Sequence, residues 1–285
     1  MTDSLIDIRN LEIAFGGGAV KAVRGVSFTL GQEKLGIVGE SGSGKSTVGR
    51  AIMKLLPPTA KVTAERMMFK DVDLLSASEQ KMMTVRGRQI GLILQDPKYS
   101  LNPVMRIGEQ IAETYRLHAP KASAKQAAEQ TLSMLTAVQI RDPERVARLY
   151  PHEISGGMGQ RVMIAMMLIA EPDVLIADEP TSALDVTVRL EVLGLLEELV
   201  ERRNLGLIFI SHDLNLVRHF CDRVLIMYAG RIVETLEARN LVNAKHPYTQ
   251  GLLASLPSIE EPPARLPVLK RERSWLDDTA TETRA

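Results

Sequence analysis

A chain of 285 residues that is 45% hydrophobic can bury one large core, or a core with a satellite, and its 35 basic residues balance its 35 acidic ones. That balance excludes a chain-wide field drawing it to nucleic acid or an anionic membrane, and the single cysteine, Cys221, excludes an internal disulfide framework and any cluster held by several thiolates. The opening MTDSLIDIRN has acids and no apolar run of leader length, and no later segment reaches the ~18 apolar residues of a membrane span. A soluble cytoplasmic chain is expected unless something else holds it at a membrane.

In chain order, residues 5–30 carry short alternating stretches, LIDIRNLEIAF and AVRGVSFTL, on either side of the glycines at 16–18, which predicts antiparallel strands joined by a turn. Residues 35–38 (LGIV) are uniformly apolar, as are 174–177 (VLIA) and 207–210 (LIFI). Such runs suit strands buried on both faces of a parallel sheet, although a buried helical segment reads similarly over so few residues.

Directly after LGIV comes GESGSGKST, which fits G-x-x-x-x-G-K-[ST] at Gly39, Gly44, Lys45 and Ser46 and runs into the helical pattern KSTVGRAIMKLL. Glycines let the backbone curl so that its N–H groups face phosphate oxygens, and the helix start adds the positive end of its dipole. Lys45 should reach the β- and γ-phosphates of ATP or GTP, and the Ser46 hydroxyl should ligate Mg²⁺.

Gln95 closes the apolar GLILQDP. From about residue 97 to 169 clear strands are lacking, and text such as KASAKQAAEQTLSMLTAV at 121–138 predicts a helical subdomain inserted into the α/β core. Within it, PHEISGGMGQ sets Ser155, Gly156 and Gly157 at the head of the helical MGQRVMIAMMLIA, a second anion-binding turn that one nucleotide does not require. Met163, Met166 and Met167 follow helical spacing and read as core filler.

DVLIADEP ends a buried strand with Asp178 and Glu179. Adjacent residues on a strand point to opposite sides, so the two carboxylates should divide the work: Asp178 holds Mg²⁺, and Glu179 leans toward the γ-phosphate to polarise an attacking water. The following VTVRLEVLGLLEELVERR spaces Val188, Val192, Leu195 and Leu199 as one apolar helical stripe. In LIFISHD, His212 closes the apolar run, and ligands of open α/β sheets sit beyond such strand ends, the position shared by Gln95 and Asp178. His118, His152, His219 and His246 carry no such signal. Beyond about Glu234 the chain turns polar and proline-punctuated, and its end is expected to be loosely ordered.

The ordered set Phe15, GESGSGKST, Gln95, ISGGMGQ, VLIADEP, SALD and SHD resembles the nucleotide-binding subunit of an ATP-binding cassette transporter over residues 5–230. The resemblance implies an α/β fold: a P-loop NTPase (RecA-like) core with an N-terminal antiparallel β subdomain and an inserted α-helical subdomain. It implies an ATPase domain over residues 1–235, with helices inserted at about 97–169, and a C-terminal extension over 236–285. Two such subunits pack head to tail, so that Ser155, Gly156 and Gly157 cap the γ-phosphate of the partner's ATP. Phe15 would stack on adenine, Gly39, Ser41, Gly42, Gly44, Lys45, Ser46 and Thr47 would cradle the phosphates, and Ser46, Gln95 and Asp178 would position Mg²⁺. Glu179 would be the catalytic base, with His212 holding γ-phosphate and water. Gln95 would also sense the transporter contact, and Asp185 would communicate across the dimer. Ile154 stands where Leu is usual and Met158 where Gln is, which leaves the anion contact intact and puts the rate in question.

LQDPKYSLNP, GGMGQRVMIAMML and KHPYTQGLLASLP resemble the oligopeptide/dipeptide-permease branch, which also includes importers of nickel and opines. This implies a second, different ATPase subunit, two transmembrane permease subunits and, indirectly, an extracytoplasmic solute-binding protein, at the cytoplasmic face of a bacterial inner membrane. Peptide, opine and nickel chelate all remain open as solutes. The iron–sulfur cysteine cluster that many members carry near the C-terminus is unmatched, since Cys221 lies before the tail, and that cofactor is not carried over. A soluble cassette acting on nucleic acid or the ribosome would call for a long coiled coil between Lys45 and Ser155 or a second cassette, and neither is present; no nucleic-acid partner is expected. A catalytically dead subunit is opposed by the presence of Lys45, Asp178, Glu179 and His212.

Overall fold

A computed structural model describes residues 4–255 and residue 275; the tail expected to be loosely ordered lies, Trp275 apart, outside the described residues. The chain divides into two compact units, one formed by Met1–Ala77 with Ile208–Ala285 and the other by Ser78–Leu207.

In the first unit, Ile6–Phe15 pairs antiparallel with Val20–Leu30 around a short turn at Gly16–Gly18, with Ile6 opposite Leu30 and Phe15 opposite Val20. Alternation buries Val26, Phe28 and Leu30 on one face. In the first strand the period slips at Asn10, whose φ of 51° accompanies a register shift, so Ile8 and Leu11 both reach the core although three positions apart. Arg66–Phe69 and Lys61–Thr63 add to the same strand. Neither these short strands nor Val72–Asp73 was legible as an alternating run. Asp7, only 8% exposed, is held by Arg66 at 2.6 Å, as a buried charge requires.

The same unit holds Lys34–Val38, which runs parallel to Arg223–Tyr228, itself antiparallel to Arg231–Glu237. Leu35, Ile37 and Val38 are buried, the expectation for a strand covered on both faces. The apolar run at 207–210 forms the strand Gly206–Ser211, buried along its whole length. Helices Lys45–Ile52, Leu214–Phe220 and Pro247–Ala254 complete the unit.

In the second unit, Ile90–Ile93 and Val174–Asp178 pair in parallel, Ile90 beside Val174 and Ile93 beside Ala177. Between them the described chain forms only helices and turns, chiefly Ile107–His118, Ala124–Ala137, Pro143–Arg148 and Gly156–Leu168. Ser123 and Gln126 form a reciprocal capping box that starts Ala124–Ala137, and Asp142 caps Pro143–Arg148. Helix Val186–Arg203 buries Val192, Leu195 and Leu199 as its spacing predicts. It also buries Leu193, Leu196 and Val200, a band wider than one stripe, while Val188 is only partly covered. Met163 is buried, whereas Met166 and Met167 are half-covered.

Candidate functional site

The strand Lys34–Val38 delivers the chain to Gly39, where the loop begins to curl. Its last residue, Gly44, has φ 102°, and a Cβ there would stand 2.6 Å from the Ala22 carbonyl oxygen, so glycine alone fits. The Ser43 N–H donates to the Glu40 carbonyl at 3.1 Å, closing the curl. Lys45, 5% exposed, folds back into it and donates from Nζ to the carbonyls of Gly39 at 2.7 Å and Glu40 at 2.9 Å. Ser41 and Gly42 face solvent, while Ser46 and Thr47 occupy the first turn of helix Lys45–Ile52.

Val38, Gly39, Glu40 and Ser41 line a cavity of about 410 Å³ together with His212 and Leu252. His212 lies just past Gly206–Ser211, so this unit brings the histidine to the phosphate loop as the motif order anticipates. Leu252 and Tyr248 were not anticipated. The Tyr248 hydroxyl accepts from the Glu40 N–H at 3.1 Å, and no local pattern in KHPYT carries that long-range contact. Phe15 is the last residue of its strand, half-buried and followed by the glycine turn.

In the second unit, Asp178 is 6% exposed as the final residue of a fully buried strand. Glu179 corrects the alternation argument: its φ is 49°, so it has left the strand and period-two geometry no longer governs where it points. Its carbonyl accepts from Ser182 N–H at 3.3 Å and Oγ at 3.1 Å, and Gln95 Nε2 donates to its carboxylate at 3.4 Å. A left-handed conformation at a non-glycine residue costs about 1–3 kcal/mol and clusters where chemistry needs an aimed side chain. Gln95 and Glu179 are thus brought together.

Ser155 caps helix Gly156–Leu168, its Oγ accepting from the Met158 N–H at 3.3 Å. Asp185 caps Val186–Arg203, its carboxylate accepting from the Val188 N–H at 3.0 Å. The two helix starts meet at Gly157, where an added Cβ would overlap Val188 Cγ1. Beside them a cavity of about 930 Å³ is lined by Ser155, Gly157, Met158, Val188, Arg161 and Glu191, the last two paired at 2.8 Å.

Two helix N-termini and a lysine-bearing curl can hold anions, and Glu179 can accept a proton from water. The hydroxyl of Ser46 in the first unit, and the amide of Gln95 and carboxylate of Asp178 in the second, each offer a hard oxygen of the kind Mg²⁺ takes. The profile of the ABC transporter family matches residues 23–182.

The chain belongs to the ABC transporter family. As a member of that family it is an ATPase and binds ATP. This ABC transporter chain is 46% identical over 263 residues to the dipeptide transport ATP-binding protein DppD of Bacillus subtilis, covering 90% of this chain and 78% of that protein. It is 48% identical over 261 residues to the oligopeptide transport ATP-binding protein OppD of the same organism, covering 90% and 73%. Among solved structures it resembles a dimeric ATP-binding cassette in a post-hydrolysis state bound to ADP and Pi, with a TM-score of 0.71 and 26% identity, covering 82% of this chain and 99% of that one. The transporter match does not favour the reading as a soluble nucleic-acid cassette. Among the described residues, no helix of this ABC transporter chain is long and apolar enough to cross a membrane.

Proposed function

We propose that this chain is one of two ATPase subunits that power import of peptides or peptide-like solutes through a pair of transmembrane permease subunits supplied by an extracytoplasmic binding protein. One observation carries the reading: likeness to dipeptide and oligopeptide transport ATP-binding proteins holds over 90% of the chain at 46% and 48% identity. It therefore extends well past the family match at residues 23–182. We read residues 1–235 as the ATPase domain, with helices inserted at about 97–169, and 236–285 as an extension of the oligopeptide-permease type. The chain then sits peripherally on the cytoplasmic face of a bacterial inner membrane.

In this reading Phe15 stacks on adenine, Gly39, Ser41, Gly42, Gly44 and Thr47 shape the phosphate cradle, and Lys45 neutralises β- and γ-phosphate charge. Ser46, Gln95 and Asp178 hold Mg²⁺, which when bound neutralises developing charge on the phosphates. Glu179 accepts a proton from the attacking water, and His212 holds that water against the γ-phosphate. Ser155, Gly156 and Gly157 cap the γ-phosphate of the second subunit's ATP, and Asp185 conveys its presence across the dimer. The dimeric state of the similar cassette supports pairing, and Met158 in the signature supports a partner of different sequence.

The test is affinity purification of the chain from detergent-solubilised membranes of its source, with partners identified by mass spectrometry. Two multi-spanning permeases and a second cassette ATPase are expected. Recovery of soluble partners alone would overturn the transporter assembly.

A further inference from the structure

Trp275 is 6% exposed and packs within a cluster of rings. Its centroid lies 5.8 Å from Tyr228, edge-on, 6.0 Å from Tyr248 and 6.3 Å from His246, and the two tyrosines stand 4.5 Å apart. Both tyrosines lead to the phosphate loop. The hydroxyl of Tyr248, itself fully buried, accepts from the Glu40 N–H at 3.1 Å. Just past Tyr228, the Gly230 N–H donates to the Ser43 carbonyl at 3.0 Å. Between these two ties, the Glu40 carbonyl accepts from both the Ser43 N–H and the Lys45 ammonium. The Gly39–Glu40 peptide, whose carbonyl accepts from the Lys45 ammonium at 2.7 Å, is in turn held through its N–H by the hydroxyl of the tyrosine against which Trp275 packs.

We infer that Trp275 is a positioning residue for the phosphate loop, acting through Tyr248 and Tyr228. The inference rests on the reading that ATP binds at that loop. A loop held in its binding geometry loses less conformational freedom when the phosphates arrive, so the aromatic cluster lowers the ordering cost of nucleotide binding. His246 fits the same cluster: its Nδ1 accepts from the Tyr248 N–H at 3.1 Å and fixes the start of helix Pro247–Ala254, whose Leu252 lines the cavity beside the loop.

The chain has a single tryptophan, so its emission reports on this cluster alone. The experiment titrates the full chain with Mg-ATP, following Trp emission and, in parallel, calorimetric heat. Emission should change with the midpoint that calorimetry gives. Tyr248→Phe, which keeps the ring and removes the hydroxyl, should weaken ATP binding and shrink the emission change. Trp275→Ala should weaken binding about two- to tenfold, the worth of an aromatic contact, while Trp275→Phe restores it. Unchanged wild-type emission through a calorimetrically saturating titration overturns the inference, as does wild-type affinity in both Tyr248→Phe and Trp275→Ala. Absence of any ATP heat in the wild-type chain overturns it together with the nucleotide-site reading, which distinguishes the two failures.

Discussion

Gln95 Nε2 donates to the Glu179 carboxylate across 3.4 Å, joining residues 84 positions apart, one on each of the two turns that follow the parallel strands Ile90–Ile93 and Val174–Asp178. The bond is long, which suits a contact that would give way to a water if Glu179 is the proposed base. Glu179→Gln should keep ATP affinity near that of the wild type and lower phosphate release about 10²- to 10⁴-fold, the range of a lost general base. Nucleotide affinity by calorimetry and turnover by phosphate release separate the two effects. Loss of ATP binding in this variant would refute the assigned role.

Gly157 and Val188 touch, and that contact ties the signature helix to the helix that Asp185 starts. Gly157→Ala should destabilise the chain by about 1–3 kcal/mol through overpacking. Val188→Ala should restore most of that loss when combined with it, giving a clearly non-additive cycle in denaturant unfolding. Strict additivity would mean that the two side chains do not compete for the same space.

Asp185 carries a structural duty besides any communication across a dimer. Removing the cap with Asp185→Ala should cost about 0.5–2 kcal/mol, and Asp185→Asn should recover nearly all of it, because asparagine caps as well as aspartate. If the asparagine variant regains stability but not turnover in the assembled transporter, the charge itself serves the dimer. Full recovery of both would confine Asp185 to capping.

The phosphate-loop motif was legible because it is contiguous: Gly39 through Thr47 needs one local backbone path, and the residues that take that path are adjacent in sequence. Asp178 was legible as the polar end of an apolar strand. What escaped depends on contacts between distant residues or on single dihedral angles. Period-two alternation says nothing once Glu179 adopts φ 49°. Tyr248 reaches Glu40 across 208 positions. Lys61–Thr63 and Val72–Asp73 are too short to show a period, so only their pairing partners reveal them.

His118 ends helix Ile107–His118, where the dipole favours a proton, yet burial first and the nearby positive Arg88 second hold its pKa below the ordinary 6.5. The unfolded chain therefore takes up this proton at higher pH than the folded one. Stability is retained above the ordinary value and lost as pH falls from it toward the folded pKa. Melting temperatures taken one pH unit above and one below that value should fall more in the wild type than in His118→Gln. An equal fall in the two chains would show that His118 does not contribute.

The first unit is written in two pieces of chain, and this sets a timetable for synthesis. Arg223 donates to Glu33 at 2.7 Å across 190 positions and to the Thr29 carbonyl at 2.6 Å, beside the strand that pairs with Lys34–Val38. At 5–20 residues per second, roughly 10–40 s pass on the ribosome between the emergence of one edge and that of its partner. For most of that interval, until its other neighbour Gly206–Ser211 emerges, the apolar LGIV segment waits with an unpaired backbone, an open invitation to a neighbouring nascent chain. Messages truncated before Tyr228 should therefore yield aggregates rather than a smaller ATPase.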